Sequence, residues 1–200
     1  QQTTTESPIV LRNYQEEAIQ AVLDAYDRGC MQQIVSLFVG SGKTSIGAAL
    51  IPRIKSPDLN RTQTLWIAHR EELLDQAAER ISLMNPGLLV EIEQGPRRAS
   101  SIADVIVASI QSIGRAESNR IDKISPDKIK LCLVDETHHG TSASYLNAFE
   151  YLDCLRKDSP ILLLGITATP KRADKIALGN VFKEIVYHKG IIDGIKAHWL

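Results

Sequence analysis

The chain has 200 residues, of which 44% are apolar and 24% charged, with a formal net charge of −1 at pH 7. This length suits one large domain, and the charge balance excludes a globally basic protein, so that any nucleic-acid contact must come from a local patch and loop backbone. No stretch approaches the ~18 apolar residues of a membrane span, and the widely spaced Cys30, Cys132 and Cys154 argue against a disulfide framework or a zinc site and fit a reducing compartment.

Apolar periodicity and turn residues predict alternating helices and strands. Helices are indicated where apolar residues recur every three to four positions, and buried strands where they form short continuous runs. Asn13 with Glu16 resembles a capping pair at the start of the first helix, and Gly29 is placed to end it. The predicted helices are 11–29, 45–54, 71–84 and 145–155, and the predicted strands are 34–39, 64–68, 88–92, 104–109, 129–134 and 161–166, with a weaker one at 181–187.

Apolar strands that alternate with helices predict an α/β fold with a mostly parallel sheet and helices on both faces. The polar residues that follow the strands should then meet at one edge of the sheet. We expect a domain at 9–190, a disordered polar tail at 1–8 that could follow a removed targeting segment, and the start of a linker to a further domain at 191–200.

The first of these polar segments is Gly40-Ser41-Gly42-Lys43-Thr44, which lies between the first predicted strand and a helix beginning near Ser45. This is the context of a P-loop, whose glycines let backbone N–H groups face phosphate oxygens. Lys43 would reach the β- and γ-phosphates, and the Thr44 hydroxyl would hold Mg²⁺. Leu37 departs from the full pattern, which wants a small residue there, and the alternative is an incidental glycine-rich turn.

A second apolar strand ends in Asp135-Glu136-Thr137-His138-His139, and Asp135 lies 92 positions after Lys43. On a P-loop protein Asp135 would hold Mg²⁺, and Glu136 would orient and deprotonate the attacking water. The alternatives are a solvated acidic turn and a metal site formed by Asp135 and the two histidines, for which further ligands are lacking.

Two further strand ends carry polar residues. Thr167, Ala168 and Thr169 follow one strand, and Ala68-His69-Arg70 follows another just before a helix. In the Ala68-His69-Arg70 segment, backbone N–H groups and the Arg70 side chain could bind phosphates. Each segment also has a plainer interpretation, a Thr-Pro turn at Pro170 and a solvated charge at Arg70.

Taken together, these motifs resemble the first RecA-like domain of a superfamily 2 DExH helicase. The resemblance runs from about Leu11 to Tyr187. It rests on the ordered set Arg12-Asn13-Tyr14-Gln15, Gly40-Ser41-Gly42-Lys43-Thr44, Ala68-His69-Arg70-Glu71, Asp135-Glu136-Thr137-His138 and Thr167-Ala168-Thr169.

The resemblance implies a RecA-like P-loop NTPase fold that uses ATP and Mg²⁺. It implies that Arg12 and Gln15 recognise adenine, and that the segment from Gly40 to Ser45 binds the phosphates. His138 and the Thr167-Ala168-Thr169 segment would couple hydrolysis to strand movement. The implied contacts to the nucleic-acid backbone are Ala68, His69, Arg70, Ser109, Gln111 and Ser112.

The segment His-Arg-Glu-Glu-Leu-Leu at 69–74 is more similar to DNA translocases related to type III restriction-enzyme motors than to DEAD-box RNA helicases. The chain is also similar to fungal mitochondrial DExH helicases. Leu37-Phe38-Val39 replaces the more usual Ala-Pro-Thr, which leaves the shape of the phosphate loop open. The family's arginine finger lies on a second RecA-like domain, expected beyond Leu200.

The sequence therefore predicts the N-terminal motor domain of an ATP-dependent DNA helicase or translocase, with DNA favoured over RNA and no membrane partner. Alone, the chain is expected to bind adenine nucleotide weakly and to hydrolyse little ATP. An RNA-acting DExH helicase and a nucleotide-binding module without turnover stay open. A P-loop GTPase or kinase is disfavoured, because no Asn-Lys-x-Asp guanine motif follows Lys43 and Gln15 suits adenine instead. An intracellular location is expected, in the mitochondrial matrix, with the nucleus and cytoplasm as alternatives.

Overall fold

The computed structural model describes residues 9–137, 142–168 and 177–196. Within these ranges the strands are β1 (Gln32–Leu37), β2 (Gln63–Ala68), β3 (Val90–Glu93), β4 (Val105–Ser109), β5 (Ile129–Asp135), β6 (Leu162–Ala168) and β7 (Glu184–Lys189). The α-helices are α1 (Asn13–Asp27), α2 (Lys43–Arg53), α3 (Glu71–Met84), α4 (Ile110–Ile113), α5 (Ala143–Leu152) and α6 (Ile191–Lys196). Short 3-10 turns occupy Ile121–Lys123 and Pro126–Lys128.

All seven strands form one sheet in the order β3-β4-β2-β5-β6-β1-β7, and every neighbouring pair is parallel. The predicted parallel α/β architecture is confirmed. The weaker predicted strand is the edge strand β7, which pairs with β1. No helix in the described part of the chain is long and apolar enough to cross a bilayer.

Alternate residues of the central strands pack into two hydrophobic cores, one on each face of the sheet. Leu131 and Leu133 pack on the face that α1, α2 and α3 cover, whereas Cys132 and Val134 pack on the face of α4 and α5. Helix α2 lies very close to the sheet, because a Cβ on Gly47 would fall 2.5 Å from the ring of Trp66. The carboxyl edge of the sheet is thus held on both faces.

Two predicted boundaries around the phosphate loop are wrong. Strand β1 covers 32–37 rather than 34–39, because Phe38 leaves the sheet and packs against Tyr14, with ring centroids 5.6 Å apart. Helix α2 begins at Lys43 rather than Ser45, with Gly42 as its N-cap. The loop between them is therefore 38–42, and Lys43 and Thr44 stand in the first helical turn.

The predicted capping pair of α1 is also wrong. The N-cap is Arg12, and its N–H donates to Gln15 Oε1 at 2.8 Å. The Glu16 carboxylate instead accepts a hydrogen bond of 2.9 Å from the Arg53 guanidinium, which links α1 to α2. Helix α5 ends at Leu152, earlier than predicted, because Asp153 takes the left-handed conformation with φ 57°.

Candidate functional site

The four strand ends singled out from the sequence lie at the same edge of the sheet. Strands β2, β5, β6 and β1 are consecutive neighbours, so β6 lies between the strand that leads into the phosphate loop and the strand that ends in the two acids. Ala168 pairs with Leu37 on one side of β6, and Ile166 pairs with Asp135 on the other. The geometry thus brings the four predicted motifs to one edge of the sheet.

Two left-handed glycines shape the phosphate loop. Gly40 has φ 82° and Gly42 has φ 76°, conformations that other residues adopt only with strain. A Cβ on Gly42 would also lie 2.5 Å from Gln15 Nε2. The side-chain amide of Gln15 donates to the Ser41 carbonyl at 2.9 Å, and the Tyr14 hydroxyl donates to the same oxygen. Helix α1 therefore fixes the path of the loop.

The end of this loop provides hydrogen-bond donors and positive potential for an anion. The first turn of α2 begins at Lys43, and the leading N–H groups of a helix have no acceptor within the helix. The positive end of the helix dipole adds to them. Ser41 is 1% exposed, and its Oγ has no hydrogen-bond partner within the described residues. Backbone and side chain together leave donors for phosphate oxygens.

Lys43 and Glu136 form an ion pair across the site. Lys43 Nζ lies 2.8 Å from Glu136 Oε1, and the two side chains are 14% and 28% exposed. Glu136 takes the left-handed conformation, with φ 55°, at the first position after β5. The turn therefore separates the directions of two sequential acids.

Asp135 is buried beside this pair, and its pKa is raised to about 6. Burial is the largest cause and the charge of Glu136 the next, while Lys43 acts in the opposite direction. Two carboxylates thus share one ammonium group in a site that is largely shielded from water. This negative excess fits a divalent cation held by Asp135, with the Thr44 hydroxyl on the first turn of α2 as the second predicted ligand.

Thr137 connects the acidic segment to β6. Its buried hydroxyl lies 3.0 Å from the Val134 carbonyl and 3.2 Å from the Ile166 carbonyl. A Cβ on Gly165 would fall 2.5 Å from Thr137 Cγ2 and Oγ1, so only glycine leaves room for this side chain. No role was predicted for either residue, although Gly165 directly precedes the Ile-Thr-Ala segment.

The predicted coupling residues are only partly described. Thr167 is 1% exposed, and its Oγ1 has no partner within the described residues. Ala168 is partly exposed at the end of β6. His138 and Thr169 lie outside the described residues, and so does His139. The described part of the chain contains no cluster of three or more residues able to hold a metal ion by themselves.

Four of the predicted nucleic-acid contacts come together in a cavity of about 480 Å³ beyond β2 and β4, namely His69, Ser109, Gln111 and Ser112. Gln111 Nε2 donates to the His69 carbonyl at 2.7 Å. The Ser112 N–H donates to Ser109 Oγ at 3.2 Å, which caps α4. Ala68 packs its side chain in the core, and Arg70 is exposed at the N-cap of α3, outside the cavity lining.

Other residues that line this cavity were not predicted, namely Glu71, Gln94, Gly95, Arg115, Ser118 and Arg120. Most come from loops without apolar periodicity. The cavity, with its lining, is called the groove below.

An all-parallel sheet, a left-handed glycine loop entering a helix and paired acids two strands away define a P-loop nucleotide-binding α/β domain of RecA-like architecture. Residues 8–172 match the family described as type III restriction enzyme, res subunit, and the chain belongs to this family. The resemblance noted from the sequence is thereby confirmed.

Curated relatives extend this finding. The chain is 40% identical over 190 residues to a Schizosaccharomyces pombe protein named as a mitochondrial ATP-dependent helicase, irc3, covering 95% of this chain and 31% of the relative. It is 36% identical over 196 residues to a Saccharomyces cerevisiae protein named as an ATP-dependent helicase, IRC3, covering 96% and 28%. The chain spans about a third of the length of these relatives.

Solved structures share the fold. The ATP-dependent type ISP restriction-modification enzyme LlaBIII, solved bound to DNA, superposes with a TM-score of 0.69 at 18% identity over 96% of this chain and 16% of that one. A fragment of an HsdR subunit of a type I restriction enzyme from Vibrio vulnificus gives 0.68 at 20% identity, covering 96% and 32%.

Proposed function

We propose that this chain is the ATP-binding motor domain of an ATP-dependent DNA helicase or translocase. The observation that carries the proposal is the site in which Lys43, at the start of α2, meets the acids at the end of β5. The printed names of the yeast relatives describe ATP-dependent helicases and support the same activity. The chain covers only about a third of those proteins, so the activity of a whole helicase is part of the proposal.

Each residue of the site has a separate role in this proposal. The loop from Gly40 to Ser45 binds the phosphates through backbone N–H groups. Lys43 moves from Glu136 to the β- and γ-phosphates, which frees Glu136 to accept the proton of the attacking water. Thr44 and Asp135 would hold Mg²⁺, which would supply positive charge for the phosphates when bound.

Arg12 and Gln15 are proposed to recognise adenine. Gln15 already uses Oε1 for the Arg12 N–H and Nε2 for the Ser41 carbonyl, and its side chain is almost fully buried. One amide hydrogen stays available to a base nitrogen. The Gln15 side chain would thereby both recognise the nucleotide and hold the phosphate loop in position.

We propose that β6 couples ATP hydrolysis to movement along the nucleic acid. Thr137 contacts both the end of β5 and the Ile166 carbonyl, so a shift of the acidic turn would be passed to Thr167 and Ala168. His138 and Thr169 complete this coupling segment in the proposal. The second RecA-like domain, which supplies the arginine finger in similar motors, would respond to this movement.

The groove is proposed to bind the nucleic-acid backbone. The predicted contacts are His69, Arg70, Ser109, Gln111 and Ser112, with Ala68 contributing main-chain atoms only. DNA is favoured because the structural neighbours include a restriction enzyme solved bound to DNA. The mitochondrial matrix is the proposed location, following the printed name of the S. pombe relative.

Steady-state ATP hydrolysis tests the proposal in a protein that contains this domain and a second RecA-like domain. Single-stranded DNA, duplex DNA and RNA of equal length are compared at one salt concentration. We expect DNA to stimulate hydrolysis more than RNA does. Stronger stimulation by RNA would favour the RNA-acting alternative, and nucleotide binding without hydrolysis would favour the module without turnover.

A further inference from the structure

One wall of the groove is formed by a small hairpin at 94–97. Gln94 and Arg97 exchange backbone hydrogen bonds of 3.2 and 2.8 Å, and Gly95 takes the left-handed conformation, with φ 53°. The Gly95 N–H also lies 3.4 Å from Ser112 Oγ, at the limit of a hydrogen bond. The hairpin thus meets the segment that already contains predicted contacts.

A buried carboxylate holds this wall in place. Glu93 has no exposed surface, and it accepts hydrogen bonds from Arg120 at 2.6 Å and Lys123 at 2.7 Å. Burial alone would raise the pKa of Glu93, but hydrogen bonds from Lys123, the Ala99 N–H and Arg120 hold it below its ordinary value. The charge of Arg120 is therefore paired with the buried Glu93 carboxylate.

Arg120 also fixes the hairpin directly. Its two terminal nitrogens donate to the Gly95 carbonyl at 2.9 Å and to the Arg97 carbonyl at 2.8 Å. Hydrogen bonds from a charged donor are among the stronger ones in proteins. The groove is therefore already shaped before any ligand enters it, which lowers the ordering cost of binding.

Arg115 differs from the other arginine of the lining. It is exposed, and within the described residues its guanidinium has no hydrogen bond or ion pair. Its backbone is nevertheless held, because its carbonyl accepts the Ser118 N–H at 3.0 Å and the preceding Gly114 N–H donates to the Ile110 carbonyl at 2.7 Å. A positioned cation, without a side-chain partner in the described part of the chain, lines a preformed cavity.

We propose that Arg115 binds a phosphate of the nucleic-acid backbone in the groove, beyond the contacts found from the sequence. The inference rests on the proposed function of the groove. A guanidinium presents planar donors that match a phosphate. No carboxylate among the residues that the structure describes forms an ion pair with that of Arg115. Glu71, the carboxylate of the lining, lies 3.7 Å from Arg97 instead.

The test is the salt dependence of binding of a fluorescent single-stranded oligonucleotide to the chain. Each neutralised phosphate of a single strand contributes a slope of about −0.7 in log K against log salt. Arg115→Gln is expected to reduce the slope by about 0.7 and to weaken binding at ~0.1 M salt about fivefold relative to ~1 M salt. Arg115→Lys keeps the charge and should keep most of the slope.

Lys157→Gln is the matched control, because Lys157 is an exposed cation in the loop before β6, at the opposite edge of the sheet. It should leave the slope unchanged. A wild-type slope in Arg115→Gln, or an equal loss in Lys157→Gln, would overturn the role of Arg115 while leaving the proposed function intact. Wild-type binding without salt dependence would overturn both.

Discussion

Asp135 is a buried carboxylate next to a second carboxylate, so its replacement by asparagine is expected to stabilise the nucleotide-free protein. Its pKa is raised from 3.8 to about 6, by burial first and then by Glu136. The folded protein therefore keeps this proton to a higher pH than the unfolded chain does. Stability falls as the pH rises from 3.8 through about 6, and the loss is complete above that range.

The magnitude follows from the same values. The ionised carboxylate costs about 3 kcal/mol at pH 7.5 and about 1 kcal/mol at pH 4.5. Asparagine keeps an oxygen for the Glu136 N–H, which now donates to the Asp135 carboxylate, but its amide nitrogen needs a partner, at a cost of about 1 kcal/mol. Asp135→Asn should therefore gain about 2 kcal/mol at pH 7.5, or ~4–8 °C in Tm, and almost nothing at pH 4.5.

Thermal unfolding of both proteins by circular dichroism, without nucleotide or Mg²⁺, measures this difference. Because all other titrating groups are shared, the pH dependence of the difference belongs to Asp135 and its neighbours. A lower Tm for Asp135→Asn at pH 7.5, or a gain that does not change with pH, would refute the reasoning. The expected gain also identifies Asp135 as a position where stability is given up for function.

Two further substitutions test other parts of the site. Glu136→Gln is expected to retain binding of ATP and Mg²⁺ but to slow hydrolysis by about 10²-fold or more in a protein with both RecA-like domains, because the base is lost while Asp135 remains. Hydrolysis at the wild-type rate would contradict that role. Gly165→Ala is expected to destabilise the domain by about 1–3 kcal/mol in urea unfolding, since its Cβ would lie 2.5 Å from Thr137, whereas Gly87→Ala, with nothing within 4 Å, should change stability by less than ~0.5 kcal/mol. Equal losses in the two variants would show that the contact with Thr137 is not the cause.

Local sequence signals predicted the bounds of an element correctly where the residues that start and end it lie in or next to the element itself. Helix α3 covers 71–84 as predicted, because its apolar face is regular and Asn85-Pro86-Gly87 ends it. The alternation of apolar strands with helices likewise predicted a parallel sheet with the phosphate loop and the acids at one edge.

Other features depend on contacts between distant segments. Phe38 is apolar and follows a strand, so it was included in that strand, but its position is set by Tyr14 of α1. The cap of α1 depends on the side chain of Gln15, which also binds the phosphate loop. Arg120 reaches Glu93 across 27 positions, and no periodic pattern could indicate that pair.

The central claim is that Lys43 lies in an adenine-nucleotide site rather than in a structural ion pair. Calorimetric titration of the chain with a non-hydrolysable ATP analogue and Mg²⁺, for wild type and Lys43→Ala, tests it most directly. Loss of a charged hydrogen bond of ~1.5–3 kcal/mol should weaken binding about 10- to 150-fold. The Tm should be nearly unchanged, because the pair with Glu136 is partly exposed. Equal affinities in the two proteins, or a large loss of Tm in Lys43→Ala, would contradict the account.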